Sequence, residues 1–401
     1  MTEGLNAQPI PRIAPDDVPE LALDMARSGL ALMLYGAPGI GKTAIFQALG
    51  RDRGLRALAE ARSGFELPEL PVVTLSAPEL NVEDLMGVPT VEELVRRKAD
   101  GSEWTHKVTR WALPAQFDPH RPFILFIDEP NRCDSGVRNA LFQLITGRTT
   151  SGGFALPPGS FVCMAGNRLE DRAGVRALDT AFNNRCGHFE LVVEPEAWLV
   201  WAGSQSGLSH LVRAFIAAHP NYLHRFDPAS AVPQQPTPRT WAALALALGD
   251  RLPMDTVLAH GLVGAEAARL FFAFARHASI VPSIQDLVDH PEDIPLPAVG
   301  ELDAAWILAT SLADHLVSPT QGQQDRLGPA VGQILGRLSE RGFEEVAVFS
   351  LRRAWRRIEK ESGSTGLPFD RRLFQAIPVL AARPSFQQLL EAIDQVGMRD
   401  S

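Results

Sequence analysis

LMLYGAPGIGKTAIFQAL, residues 32–49, decides the fold. An apolar run ends at Tyr35, a glycine-rich loop covers residues 36–41, and an amphipathic stretch opens at Lys42. Gly36, Gly41, Lys42 and Thr43 stand in the order G-x4-G-K-[ST], with Ala37, Pro38, Gly39 and Ile40 between them. Glycines let backbone N–H groups turn inward around phosphate oxygens, and a helix N-terminus adds partial positive charge. Lys42 is expected to reach the β- and γ-phosphates of ATP, and Thr43 to ligate Mg²⁺. Lysine occurs only at positions 42, 98, 107 and 360. Composition alone therefore predicts roughly 0.003 such matches in a chain of this length.

The surroundings of the loop repeat its strand–helix pattern. Strand signals fall at 31–35, 72–75, 123–127, 161–165 and 188–192, and three of these runs are almost continuously apolar. Strands covered on both faces of a parallel sheet read this way. Helical patterns lie between them at 43–49 and at 137–145, where Val137, Leu141, Leu144 and Ile145 share a face. The expected architecture is a doubly wound α/β domain with a five-stranded parallel sheet over residues 21–195, behind a leader at 1–20. Past Glu194 helical patterns take over at 198–218, 240–248, 265–277, 304–317, 331–341 and 343–358. These divide into a helical lid, 196–300, and a helical C-terminal extension, 301–401. Two proline-rich stretches, 226–240 and 288–297, interrupt them.

Bulk composition limits the function. The 401 residues carry a net charge of −9, which argues against a protein that coats nucleic acid or an anionic membrane. Cys133, Cys163 and Cys186 are odd in number and lack CxxC spacing, which fits a reducing compartment and no disulfide framework. The ten histidines form no close-set metal pair. The N-terminus lacks the pattern of a signal peptide, and apolar runs such as FILFI are strand-sized. A cytoplasmic protein without a membrane span is expected.

Three further strand ends complete the chemistry. RPFILFIDEPNR, residues 121–132, ends a buried strand on Asp128 and Glu129. Ligands of open α/β sheets bind at the C-terminal ends of strands, so both carboxylates belong beside the cradle. Asp128 is expected to hold Mg²⁺ and Glu129 to polarise the attacking water. FVCMAGN ends on Asn167, a neutral amide able to orient that water or touch the γ-phosphate without adding charge. In FNNRCGHFEL, residues 182–191, Arg185 stands at the start of a strand with no acidic neighbour, suited to stabilising charge on a transferring phosphate. Arg239, in PTPRTWAAL, opens a helix in the helical half and is a second arginine for the γ-phosphate.

GAPGIGKT, FIDEPNR, AGN, NNR and TPRT, in this order, resemble the AAA+ ATPases, and more narrowly their MoxR branch. VEDLMGVPT (82–90) is similar to the start of that branch's helix-2 insertion, and GRTTSGGFALPPGSF (147–161) to the β-hairpin before its sensor-1 strand. The resemblance covers roughly residues 25–275. It implies Walker A at 36–43, Walker B at Asp128 and Glu129, sensor 1 at Asn167, an arginine finger at Arg185 and sensor 2 at Arg239. Arg168 departs from the proline common after sensor 1. The resemblance also implies a homo-oligomeric ring, usually hexameric, with ATP between subunits, and a partner bearing a von Willebrand factor A domain. ATP hydrolysis would then remodel a protein client through loops 82–112 and 147–160.

Two other functions fit parts of the chain. A nucleic-acid motor draws on LRRAWRRIEK (351–360), whose Arg352, Arg353, Arg356 and Arg357 suit phosphates and whose Trp355 suits a base. The same stretch also reads as a solvated helix face with Leu351, Trp355 and Ile358 packed inward. A small-molecule kinase would use the cradle and need neither Arg185 nor Arg239.

Overall fold

The computed structural model describes residues 10–171, 180–249, 256–278, 281–317 and 324–362, together with Gln387. The first nine residues of the expected leader and nearly all of the extension beyond 362 thus lie outside the described residues. The chain divides into two compact units, Met1–Val193 and Glu194–Ser401.

In the first unit, β1 (Arg12–Ile13), β2 (Ala31–Tyr35), β3 (Val72–Ser76), β6 (Ile124–Asp128), β7 (Phe161–Gly166) and β8 (Cys186–Leu191) form a parallel sheet ordered β1-β8-β2-β7-β6-β3. Strands β4 (Val88–Arg97) and β5 (Glu103–Ala112) form a separate antiparallel hairpin. The five expected strands are all present. A sixth, β1, pairs Arg12 with Glu190 and Ile13 with Leu191 at the β8 edge, so the stretch read as a leader extends the sheet. Two residues lying between prolines carry no alternation from which a strand is legible.

Both sheet faces are covered, as the apolar runs require. Helices α1 (Val18–Ser28), α2 (Lys42–Ala48), α3 (Arg53–Ser63), α4 (Glu83–Met86), α5 (Ser135–Gly147) and α6 (Thr180–Asn183) complete the unit. Met33, Leu125, Ile127 and Met164 join Leu141, Leu144 and Phe182 in one buried cluster. Phe126 points the other way and meets Phe46 of α2 at 4.9 Å between ring centroids. The segment resembling an insertion is α4 followed by the hairpin, whose two strands of ten residues stand exposed except at a few positions. The segment at 147–161 turns back on itself through a single bridge, Thr149 to Ala155, instead of paired strands.

The second unit is helical: α7 (Pro195–Ser204), α8 (His210–Ala218), α9 (Pro238–Leu248), α10 (Val257–Ala275), α11 (Ile284–Asp289), α12 (Leu302–Val317), α13 (Gln324–Glu340) and α14 (Glu344–Ser362). The pattern at 198–218 is two helices, because Ser206 and Gly207 interrupt it. Phe215 of α8 is fully buried among Trp241, Phe271 and Phe274. Helices from the expected extension pack onto the lid helices, α12 against α8 and α14 against α7.

Helix α10 meets the length and composition of a membrane span, a feature the sequence reading passed over. Gly264, at φ 81° and ψ 161°, breaks it into two segments, and Val263, Ala267, Ala268, Phe271 and Phe274 are buried in the protein. It is the only such helix among the described residues.

The basic stretch 351–360 lies on α14, and the structure gives its arginines carboxylate partners. Arg352 and Arg356 both bind Glu196, and Arg353 binds Asp314 at 2.5 Å. Leu351 is buried and Trp355 half-buried, as expected of an amphipathic helix, while the side chain of Ile358 lies outside the described residues. Arg353 is only 5% exposed, so this helix face is not simply solvated.

Candidate functional site

The phosphate cradle begins where β2 ends. Tyr35 closes the strand, and the Gly36 N–H donates to the Gly166 carbonyl of β7 at 3.2 Å. A Cβ at Gly36 would lie 2.5 Å from the end of the Ile40 side chain and 3.3 Å from the Leu191 carbonyl, so any larger residue would have to displace Ile40 and press on that carbonyl. Gly41 caps α2 at φ 99°, a conformation open to glycine and strained for other residues. The N–H groups that open α2 have no acceptor within the helix and face an incoming anion.

Strand order brings the predicted side chains together. Because β7 lies between β2 and β6, Asn167 at its tip sits between the cradle and the Asp128–Glu129 pair. Lys42 is buried, and its ammonium donates to the Gly36 and Ala37 carbonyls at 2.7 and 3.0 Å and to Asn167 Oδ1 at 3.1 Å. The other half of that amide, Nδ2, donates to Glu129 Oε1 at 3.0 Å. Only one orientation of the amide satisfies both neighbours, since an ammonium accepts nothing and a carboxylate donates nothing. Asn167 is thus a neutral bridge between the cationic and anionic halves of the site.

Thr43 and Asp128 meet across the loop, the hydroxyl donating to Asp128 Oδ2 at 3.0 Å. Burial is the chief reason the Asp128 carboxyl titrates above its ordinary value. The Thr43 hydrogen bond pulls it down, and Glu129 beside it pushes it up. Two hard oxygen donors at this spacing suit Mg²⁺, which takes one or two protein oxygens and keeps water on its remaining positions.

Glu129 takes a left-handed backbone, φ 55° and ψ 47°, with its N–H donating to the Ala165 carbonyl at 2.7 Å. Such a conformation costs a non-glycine residue about 1–3 kcal/mol and persists where the surroundings impose it. Here it turns the carboxylate toward Asn167.

Two contributors escaped the sequence reading although both lie inside the quoted FIDEPNR. Arg132 donates from Nη1 to Glu129 Oε2 at 2.5 Å. Asn131, 2% exposed, donates from Nδ2 to the Asn167 carbonyl at 3.0 Å and so fixes the strand tip. Polar side chains so soon after the Asp128–Glu129 pair were the available signal. Arg168 pairs with Asp171 at 2.8 Å and with Glu190 at 2.8 Å.

Arg185 is not brought to this cluster. Its carbonyl accepts from the Ala31 N–H at 3.2 Å, at the beginning of β2, whereas the cradle follows the end of that strand. Its side chain is exposed and makes no hydrogen bond or ion pair among the described residues. Arg239 is also exposed, in the first turn of α9, where Thr237 and Thr240 form a capping box.

The cradle, the strand order and the Asp-Glu strand tip fix the architecture. The fold is a P-loop NTPase. No protein-family model and no curated protein matches the chain. Solved structures similar to it include NtrX from Brucella abortus, at 14% identity over 91% of this chain and 67% of that one, with a TM-score of 0.29. The same protein in complex with ADP matches at 14% identity over 88% and 68%, with a TM-score of 0.31. A point mutant of Thermotoga maritima RuvB matches at 15% identity over 78% and 86%, with a TM-score of 0.33.

Proposed function

We propose that the chain is an AAA+ ATPase of the MoxR type that hydrolyses ATP at interfaces within a homo-oligomeric ring. The observation that carries the reading is the position of Arg185. Five residues of β2 at about 3.3 Å each put roughly 16 Å between its turn and the cradle, beyond the reach of one arginine side chain. An exposed guanidinium, unpaired among the described residues, at that end of the sheet is suited to the cradle of a neighbouring copy. A head-to-tail contact of this kind generates a ring when its rotation closes.

In this reading Lys42 leaves the Gly36 and Ala37 carbonyls to neutralise the β- and γ-phosphates. Glu129 polarises a water for in-line attack on the γ-phosphorus, and Asn167 holds both the water and the carboxylate in line. ADP leaves as the β–γ bridging oxygen takes up the displaced electron pair. Thr43 and Asp128 would hold Mg²⁺, which would supply charge neutralisation to the phosphates. Arg185 of the adjacent protomer stabilises the charge that develops on the transferring group, and Arg239 answers to the γ-phosphate from the helical unit.

The work done is proposed to be remodelling of a protein client in the cytoplasm, with a von Willebrand factor A domain protein as partner. The projecting β4–β5 hairpin is the surface offered for contact. The nucleic-acid reading loses the argument from residues 351–360, whose Arg352, Arg353 and Arg356 already hold carboxylates.

The test is a mixing experiment. Arg185→Ala alone binds ATP without turnover, and adding Lys42→Ala protomers partly restores phosphate release. An Arg185→Ala protein that hydrolyses ATP at the wild-type rate excludes the ring mechanism and favours a kinase-like use of the cradle.

A further inference from the structure

His188 lies on β8 opposite Met33 of β2, on the sheet face that carries Tyr35. Its Nδ1 is 3.2 Å from the Tyr35 hydroxyl, and its Nε2 is 2.9 Å from the Asn183 carbonyl. A carbonyl only accepts, so Nε2 is the donor to Asn183, and the tautomer this selects leaves Nδ1 to accept from the Tyr35 O–H. Burial, with Cys186 nearby, pushes the Tyr35 phenol up to about 12, so it keeps that proton at ordinary pH.

These two bonds join places that matter for the proposed reaction. Asn183 ends α6, two residues before Arg185, and the Arg185 N–H donates to the Phe182 carbonyl at 3.1 Å. The turn bearing the guanidinium is therefore fixed to the end of α6. At the other end, Tyr35 is bonded directly to Gly36, whose carbonyl accepts from Lys42 at 2.7 Å. When Lys42 moves to phosphate, the Gly36 carbonyl loses that partner and the Gly36–Ala37 peptide, the first of the cradle, is free to shift, while the Gly36 N–H stays on the Gly166 carbonyl.

We propose that His188 is a positioning residue that couples the Arg185 turn to the first peptide of the cradle. The guanidinium a protomer offers its neighbour is then set by the nucleotide in its own cradle. The inference rests on the trans role of Arg185, and its test separates the two.

Full-length Arg185→Ala serves as acceptor, with an intact cradle and no finger. Glu129→Gln serves as donor, with a nucleotide-loaded cradle that does not turn over. Phosphate release in the mixture then reports only acceptor cradles completed by donor fingers. The Glu129→Gln donor restores turnover. Adding Tyr35→Phe or His188→Ala to the donor lowers the rescue by about 10- to 100-fold, the effect of a misplaced catalytic group. His188→Gln, which keeps an N–H for the Asn183 carbonyl, recovers part of it. Fluorescent-ADP affinity and assembly size of the donors stay within about twofold of the parent, as an effect confined to transition-state stabilisation requires.

Tyr35→Phe is the decisive variant, because it leaves the Asn183 bond and the fold in place. Equal rescue by donors with and without Tyr35→Phe reduces His188 to a cap on α6 and overturns the inference, while Arg185 keeps its role. No rescue by any donor removes the trans role itself, and the inference with it.

Discussion

Two clusters of mixed charge, one in each unit, use the same residue types to opposite ends. At the cradle, Lys42 and Glu129 meet on the neutral Asn167, Asp128 holds the Thr43 hydroxyl, and Arg132 holds the outer oxygen of Glu129. In the helical unit, Asp314 lies between Arg213 at 3.0 Å and Arg353 at 2.5 Å, with side chains 16%, 11% and 5% exposed. The first cluster is bonded largely through hydroxyl, amide and backbone carbonyl groups, which release a charged partner at low cost. The second pairs full charges away from water, where separating them costs several kcal/mol. The difference teaches that a cation buried beside neutral acceptors is ready to move, while one buried beside a carboxylate is fixed.

The largest expected effect breaks the cradle. Lys42→Ala is expected to remove ATP binding and turnover together, whereas Glu129→Gln is expected to keep ATP bound, to stabilise the proposed ring and to lower turnover by about 10²- to 10⁴-fold. Phosphate release and retained nucleotide measure the two effects; normal turnover in Glu129→Gln would remove that carboxylate from the reaction.

Breaking the helical cluster acts on stability instead. Asp314→Ala leaves Arg213 and Arg353 buried with their shared carboxylate gone, at a cost of about 3–5 kcal/mol in urea unfolding. Nucleotide affinity of the variant that remains folded is expected to match wild type. Unchanged unfolding midpoints would mean that the arginines find other acceptors.

Acid titration sharpens the same contrast. Burial alone would raise the Asp314 carboxyl, but Arg353 and Arg213 outweigh it and hold it below the ordinary carboxylate range. A depressed folded value contributes stability above the unfolded value, about 3.9, which is lost as pH falls through the folded one. Wild-type stability therefore declines below about pH 4 more steeply than that of Asp314→Asn. Parallel pH profiles of the two proteins would contradict this.

The smallest effect concerns Arg132. Its bond to Glu129 is partly exposed, at 40% and 27%, so it is worth about 0.5–1 kcal/mol. Releasing the carboxylate with Arg132→Ala is expected to raise turnover by about two- to fivefold, the same energy expressed as a rate. A fall in turnover would instead make Arg132 a participant in catalysis.

The local elements of the site were legible because their signals are contiguous. A glycine-rich loop between an apolar run and a helix, and carboxylates closing another apolar run, need only neighbouring residues to be recognised. Lys42 with Asn167, Glu129 with Arg132, and Glu196 with Arg352 were not legible in the same way. The first and last of these pairs span 125 and 156 residues. Arg132 lies close to Glu129 in sequence, yet it meets the carboxylate only because Glu129 takes a left-handed turn.

The sequence by itself determined the five main strands, the cradle and the identity of the charged groups, because hydrophobic runs and backbone freedom act over a few residues. Tertiary structure alone decided which of those charges face one another. Insertion of β7 between β2 and β6 makes Asn167 a bridge, pairing of β8 with β2 puts Arg185 at the far end from its own cradle, and packing of α14 neutralises its arginines. Electrostatic energy depends on distance in space, and the chain order of these residues does not contain that distance.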